Sequence, residues 1–360
     1  MKEVFANFMA DKIMNPAFPD INHNLQFLTA HYSSAYDEDR TKGSHPIRQN
    51  LTNLKNAGSL YGSIIYNKAP IMMRQLETTM GKEVFQKGIQ KYIQKYANST
   101  ADWEDLVEIL DKGTTLNMKK WSDVWVNQSG RALFTDHIEY GDAQTIKNFV
   151  LRQQAEDGSP NVWPQIFEIG LVYPDTIKVI QVNVNSRITE IKEAIGLQKP
   201  ISVIYNYNGY GYGVFPIDPN NLDKTPEIKD EVARAYSYIN AYENTLTGKI
   251  TAGKAFDVFV KGIAVEQNEL IVKLLSNQLS SIFWDFLTIK QQVVAQAELE
   301  QLLFNKLQTE IPSNIKKTIF GLFESIAYSK TGKEKLYQIW NKEIAIANLK
   351  LNEDDYINMA

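Results

Sequence analysis

The chain contains four histidines, and their spacing decides whether they could bind a metal ion together. They are His23, His31, His45 and His137. A helical zinc site places two histidines four residues apart, as in H-E-x-x-H, and a catalytic zinc ion needs about three converging protein ligands. No pair of these histidines has that spacing, and no H-E-x-x-H occurs in the sequence. The sequence therefore predicts that each histidine is structural or exposed.

A glycine-rich segment is the second place where the sequence could form a binding loop. Residues 208–213 read N-G-Y-G-Y-G. This spacing differs from the phosphate-binding pattern G-x-G-x-x-G, and no helical pattern follows it. We therefore predict a glycine-rich strand or turn that packs against another domain, and no phosphate site.

Composition and charge limit the remaining classes of function. The chain has no cysteine, which excludes disulfides and thiolate chemistry and is compatible with both a cytoplasmic and a periplasmic location. The formal net charge of -4 gives no support for a nucleic-acid or anionic-membrane partner. No apolar run approaches the roughly 20 residues that span a bilayer. At 360 residues, two or three domains are expected.

Residues 1–131 are predicted to be mainly helical. Apolar residues recur at helical steps between Phe85 and Tyr96, and Asp102 is a plausible N-cap for a following helix. Between the first helix and residue 60 the chain is rich in Asn, Ser and Pro, which predicts loops with short helices. The first helix begins at residue 1 without a cap, so we expect the chain to be part of a longer protein.

The pattern changes after residue 131. Residues 132–218 contain short apolar runs with the period of half-buried strands, which predicts a small β-sandwich. These runs are Ile146–Leu151, Ile166–Val172, Ile180–Val184 and Ile201–Tyr205. Residues 219–360 return to a helical pattern with almost no Gly or Pro between Lys261 and Glu310, which predicts stacked antiparallel helices of the α-solenoid type.

Residues 2–8 read K-E-V-F-A-N-F. They resemble the W-L-N-E-G-F-A-x-Y-like motif of the aminopeptidase N-like zinc metallopeptidases (gluzincin aminopeptidases). In that family, this motif follows a helix that carries H-E-x-x-H, and its glutamate is the third zinc ligand. The resemblance places Glu3 at the ligand position, with Lys2 where asparagine is usual and Val4 where glycine is usual.

Further segments resemble the same family in the same order. Residues 44–47, S-H-P-I, match its S-H-P-I/V segment. Residues 63–77 resemble its I-x-Y-x-K-G-A-x-x-x-x-M-L-E block, with Ala69 where glycine is usual. The resemblance implies that Tyr66 donates a hydrogen bond to the oxyanion. Lys68 and Arg74 are expected to face solvent or to pair with acids on neighbouring helices. The similarity continues through residues 81–92, 121–130, 201–218 and 231–248.

The predicted fold class is α+β and predominantly helical, in three parts. By the resemblance, residues 1–131 form the helical C-terminal part of a thermolysin-like catalytic domain. Residues 132–218 form the β-sandwich, and residues 219–360 form a helical, α-solenoid-like C-terminal domain.

The implied function is that of a C-terminal fragment of a zinc aminopeptidase, which removes N-terminal residues from peptide substrates. Of its site, only Glu3 as metal ligand and Tyr66 as catalytic residue would be present. The sequence contains neither H-E-x-x-H nor the G-x-M-E-N-like segment that grips a free amino terminus. We therefore expect zinc in the full-length parent but none on this chain, which alone would be inactive. The alternative is a non-catalytic scaffold or protein-interaction module descended from an aminopeptidase.

Overall fold

The structure, a computed structural model, describes residues 2–49, 53, 55, 58 and 62–359, and the side chains of Lys2 and Glu3 lie outside that description. The fold is α+β and predominantly helical, as the sequence predicts. The chain divides into two compact units, Met1–Pro216 and Ile217–Ala360. The three-part division with boundaries after residues 131 and 218 stays a prediction.

The first unit begins with helices. Their bounds are α1 Lys2–Ala17, α2 His23–Asp39, α3 Ala69–Met80, α4 Lys82–Lys95, α5 Trp103–Asp111 and α6 Met118–Asn127. The predicted N-cap is confirmed: the side chain of Asp102 accepts a hydrogen bond from the backbone N–H of Asp105 and completes a capping box. The apolar face predicted for α4 is confirmed at Phe85 and Ile89, which are buried, whereas Ile93 is 60% exposed.

Helix α2 corrects the prediction of loops and short helices before residue 60. It is 17 residues long. Its N-cap is Asn22, whose side chain accepts a hydrogen bond from the backbone N–H of Leu25. Buried residues recur along one face at helical spacing: Leu25, Leu28, Tyr32, Ala35, Tyr36 and Asp39. The polar composition concealed this face because tyrosines and one aspartate occupy positions where aliphatic residues are usual.

The second half of this unit forms two sheets. The strands are β1 Ala132–Tyr140, β2 Ile146–Ala155, β3 Gln165–Val172, β4 Ile177–Val184, β5 Ile188–Glu190, β6 Ser202–Ile204 and β7 Gly213–Val214. One sheet has the order β5-β2-β1-β7 and the other β4-β3-β6. Only the β1–β7 pair is parallel. The four strands predicted from alternation are confirmed as β2, β3, β4 and β6.

Aromatic residues connect the two sheets. Phe134 of β1 packs edge-on against Phe167 of β3, with ring centroids 5.7 Å apart. Phe215, which follows β7, stacks on Phe134 at 4.5 Å. All three side chains are buried. The packing gives the sheets a shared apolar core, although the β-sandwich assignment itself stays a prediction.

Glutamine side chains extend the hydrogen bonding of the sheets toward the helices. Gln75 of α3 accepts from the backbone N–H of Ile166 at 2.9 Å and donates to the Ile166 carbonyl at 2.9 Å. Gln165 makes the same pair of bonds with the backbone of Tyr212. Because an amide side chain has the same donor and acceptor as a peptide group, it substitutes for a strand neighbour.

The second unit is helical. After a 3₁₀ segment, Leu222–Glu227, it contains α7 Glu231–Leu246, α8 Ala252–Val265, α9 Glu269–Ser281, α10 Ile289–Leu307, α11 Ser313–Ile326, α12 Lys330–Trp340 and α13 Glu353–Met359. Buried polar groups cap these helices. Lys306, for example, donates to the carbonyls of Ile263, Ala264 and Glu266 at the end of α8. The helical content is as predicted, and the solenoid arrangement stays a prediction.

In the described ranges, every helix is too short or too polar to cross a bilayer.

Candidate active site

Tyr66 lies on a π-helical turn, Ile64–Lys68, which we call the Tyr66 turn. The turn runs directly into α3, and Pro70 occupies the beginning of that helix. Proline has no amide hydrogen, so Pro70 cannot donate the α-helical bond to the carbonyl of Tyr66. The wider turn closes instead through the backbone N–H of Ala69, which donates to the Ile64 carbonyl. Single π-helical turns within helices are frequent at functional sites.

The side chains of the Tyr66 turn become progressively more buried from Tyr66 to Lys68. The side chain of Tyr66 is 37% exposed, Asn67 is half-buried, and Lys68 is completely buried. The turn therefore presents the phenol to solvent while its last residue lies in the core of the first unit.

Helix α1 packs beside this turn. The side-chain amide of Asn7 lies 3.5 Å from the carbonyl oxygen of Tyr66. Glu3 precedes Asn7 by four residues, so the two positions occupy the same face of α1. The side chain of Glu3 lies outside the described part of the chain. The backbone thus brings the helical turn of the predicted metal ligand to the turn that carries Tyr66.

Lys68 forms a buried ion pair with Asp39, the last residue of α2. Its Nζ lies 2.7 Å from Asp39 Oδ2, and neither side chain is exposed. It also donates to the carbonyl of Gly130 at 2.7 Å. Burial lowers the pKa of Lys68 from its usual value, and the neighbouring carboxylate of Asp39 opposes that shift. Lys68 therefore pairs with an acid on a neighbouring helix, as the sequence predicts, and the alternative of a solvent-facing lysine is wrong.

Asp39 accepts hydrogen bonds from several distant segments. Ser44 Oγ donates to Oδ1 at 2.7 Å, and the backbone N–H of Gly130 donates to Oδ1 at 3.1 Å. The Tyr212 hydroxyl donates to Oδ2 at 2.9 Å. Burial, with the carboxylate of Asp39, raises the pKa of Tyr212 well above its usual value. We call Asp39, Ser44, Lys68, Gly130 and Tyr212 the Asp39 cluster.

The Asp39 cluster unites segments that the sequence analysis identified separately. Ser44 begins the S-H-P-I segment, Lys68 lies in the tyrosine-containing block, and Tyr212 belongs to the glycine-rich segment. The glycine-rich segment is a turn that leads into β7, as predicted. The family resemblance of these segments, in the same order along the chain, could have suggested that they lie close together. No feature of the sequence indicated that Asp39 joins them.

A second contact holds Asn67. His31 Nδ1 lies 3.2 Å from Asn67 Oδ1, so the tautomer that fits carries its proton on Nδ1. Burial lowers the pKa of His31, against a smaller opposite effect of its hydrogen bond to Asn67 and of the charge of Asp11. His31 is therefore a structural histidine, neutral near pH 7, that contacts the Tyr66 turn.

Arg74 departs from its predicted environment. Its guanidinium lies between two rings, 4.2 Å from the centroid of Phe27 and 4.2 Å from that of Tyr210. It also donates to the side-chain oxygen of Asn24. Arg74 is partly buried by stacking on aromatic faces, a partner type that sequence spacing alone does not reveal.

The other histidines lie apart from one another in their contacts. His23 bonds to the carbonyl of Phe18, His45 to Gln49, and His137 to Glu139. Among the side chains that the structure describes, no three His, Asp or Glu residues are grouped so that they could hold a metal ion. The side chain of Glu3 is not among those described side chains.

Comparison with known proteins shows what the chain is similar to. Residues 1–125 match the peptidase family M1 domain. The first third of the chain is therefore similar to the catalytic domain of aminopeptidase N-like peptidases. The chain is 24% identical over 263 residues to aminopeptidase N of Streptomyces lividans, a match that covers 68% of this chain and 30% of that protein.

Two further similar proteins are also named as aminopeptidases. A probable aminopeptidase 1 of Sulfurisphaera tokodaii is 20% identical over 290 residues, covering 79% of this chain and 35% of the relative. Aminopeptidase M1-D of Oryza sativa subsp. japonica is 33% identical over 159 residues, covering 44% and 18%. The chain thus spans about a third or less of the length of these relatives.

Proposed function

We propose that this chain supplies the oxyanion-donating tyrosine and one metal ligand to a zinc aminopeptidase, which removes N-terminal residues from peptides. The observation that carries the proposal is the contact between α1 and the Tyr66 turn. Asn7, one helical turn after Glu3 on α1, contacts the backbone carbonyl of Tyr66, whose side chain is exposed. The similarity of residues 1–125 to the peptidase family M1 domain, and relatives named as aminopeptidases, support the same proposal.

The residues of the chain would divide the work as follows. Glu3 would be one ligand of a zinc ion whose other protein ligands, the two histidines of H-E-x-x-H, are not among these 360 residues. Such an ion, when bound, polarises the substrate carbonyl and activates water. Tyr66 would donate its hydroxyl proton in a hydrogen bond to the oxygen on which negative charge develops. One such donor contributes about 3–4 kcal/mol to transition-state stabilisation.

The proposal makes a definite statement about the chain alone: it holds no catalytic zinc and hydrolyses no peptide. Purified chain is incubated with an aminoacyl p-nitroanilide, with and without added zinc, and metal content is measured after dialysis. We expect no hydrolysis and no stoichiometric zinc. Hydrolysis that a chelator abolishes would refute this part of the proposal.

The proposed role of the chain in a longer, active aminopeptidase is tested by sequencing the gene upstream of the first codon. We expect the reading frame upstream of the first codon to encode H-E-x-x-H, and the protein translated from that whole frame to release N-terminal residues from peptides. A stop codon and ribosome-binding site directly before codon 1 would instead favour the non-catalytic scaffold.

A further inference from the structure

The two residues after Tyr66 are both held by side chains from other parts of the first unit. Lys68 donates to Asp39 and to the carbonyl of Gly130. Asn67 accepts from His31 of α2. Neither contact involves the side chain of Tyr66, so both act on the turn as a whole.

These contacts restrict rotation of the turn about its own axis. Successive side chains of a helical turn leave the axis in different directions, so fixing Asn67 and Lys68 fixes two directions at once. The direction in which the Cα–Cβ bond of Tyr66 leaves the turn is then fixed as well, and this limits where its phenol can lie. Lys68 is fixed especially firmly, because Asp39 accepts three further hydrogen bonds, from Ser44, Gly130 and Tyr212.

We infer that Asn67 and Lys68 are positioning residues that aim the phenol of Tyr66. The inference rests on the proposed function only for its catalytic consequence, since the aim of the side chain is a property of this chain by itself. A hydrogen-bond donor works in catalysis when it is held within about 0.5 Å of its productive position, and contacts that fix the backbone of its turn contribute to this.

The test uses a fluorine label that reports on Tyr66 without any enzymatic activity. 3-Fluorotyrosine is incorporated at position 66 of the chain, and ¹⁹F spectra are compared for wild type, Asn67→Ala and Lys68→Met. We expect one narrow resonance in the wild type and a shifted, broadened or doubled resonance in both variants. Asn67→Asp keeps the oxygen that accepts from His31 and is expected to restore the wild-type signal.

Lys306 provides the matched control. It is a buried lysine of the second unit whose Nζ donates to the carbonyls of Ile263 and Glu266 at 2.6 Å and 3.0 Å. Lys306→Met therefore removes a comparable buried ammonium group without touching the Tyr66 turn, and the ¹⁹F signal is expected to stay unchanged. A spectral change caused by losing any buried lysine would appear in both variants, whereas an effect on the Tyr66 turn appears only in Lys68→Met.

Two results would overturn the inference: wild-type spectra in folded Asn67→Ala, or an equal spectral change in Lys306→Met. If Lys68→Met does not fold, Asn67→Ala decides alone, because Asn67 is only half-buried. In the protein from the whole reading frame, Asn67→Ala should lower kcat about 10- to 100-fold with KM unchanged. An inactive wild-type protein would count against the proposed function and leave the ¹⁹F result standing.

Discussion

Lys68 Nζ and Asp39 Oδ2 lie 2.7 Å apart with both side chains withdrawn completely from solvent. Removing two charges from water costs several kcal/mol per ion unless other hydrogen bonds compensate. Compensation is present on both sides, because Lys68 also donates to Gly130 and Asp39 accepts from Tyr212. The pair is therefore a satisfied polar centre that joins α2 to the Tyr66 turn.

Removing one partner of this pair should destabilise the first unit strongly. Lys68→Met leaves the carboxylate of Asp39 buried without its cation, and such changes cost about 3–5 kcal/mol. We expect the urea midpoint, followed by tryptophan fluorescence, to fall accordingly. Lys68→Met/Asp39→Leu should recover part of the loss, because neither partner of the pair then leaves an unpaired charge in the core.

An exposed lysine gives the comparison for this experiment. Lys112 pairs with Glu108 at 2.7 Å on the surface of α5, and its side chain is 72% exposed. Lys112→Met should leave the urea midpoint unchanged, since exposed ion pairs contribute little. Equal effects at Lys68 and Lys112 would contradict the role assigned to the buried pair.

Tyr66→Phe tests the proposed catalytic hydroxyl in the protein from the whole reading frame. Loss of one oxyanion donor should lower kcat by about 10²–10³-fold, while KM changes little because the bond strengthens in the transition state. Urea unfolding of Tyr66→Phe, at a side chain that is 37% exposed, checks that the loss of kcat is not a loss of folding. Tyr337→Phe, at a more exposed tyrosine of α12, should leave kcat unchanged. Steady-state kinetics of both variants decide the matter.

Local sequence patterns predicted the helices and strands better than they predicted the contacts between them. Alternation identified β2, β3, β4 and β6, and the cap at Asp102 identified the start of α5. Helix α2 was missed because its buried face includes two tyrosines and ends in Asp39. The periodicity test detects apolar positions. A helix whose buried face includes tyrosines and an aspartate therefore shows only a weak helical pattern.

The candidate site was predictable only in part. Resemblance named Glu3 and Tyr66, and the role of each stays a prediction. The pairing of Lys68 with Asp39 and the contact of His31 with Asn67 join positions far apart in sequence, which no local spacing encodes. Pro70 was the one local signal for the π-helical turn, because proline at that position removes the α-helical donor to the Tyr66 carbonyl.

Gly213 should tolerate no side chain. Its φ is 151°, and an added Cβ would lie 2.5 Å from the carbonyl oxygen of Ala132 on the paired strand. Its backbone also exchanges hydrogen bonds with the hydroxyl of Tyr36. Gly213→Ala therefore combines strain with a backbone clash, each worth about 1–3 kcal/mol.

Gly158 separates these two causes. Its φ is also positive, at 78°, but an added Cβ would meet nothing within 4 Å. Gly158→Ala should thus cost only the conformational part, about 1–2 kcal/mol. Urea unfolding of both variants provides the measurement, and a Gly158 variant as unstable as the Gly213 variant would exclude the clash as a cause.

His31 should make the stability of the first unit depend on pH. Burial lowers its pKa in the folded chain below the value of 6.5 expected when unfolded. The unfolded chain therefore binds a proton more readily, so the contribution of His31 is complete above about pH 6.5 and is lost as pH falls through the folded pKa. Between pH 7 and pH 5 the urea midpoint of the wild type should fall more than that of His31→Gln, which cannot be protonated. Unfolding curves for both proteins across this interval measure the difference, and parallel curves would mean that the pKa of His31 is the same in the folded and unfolded states.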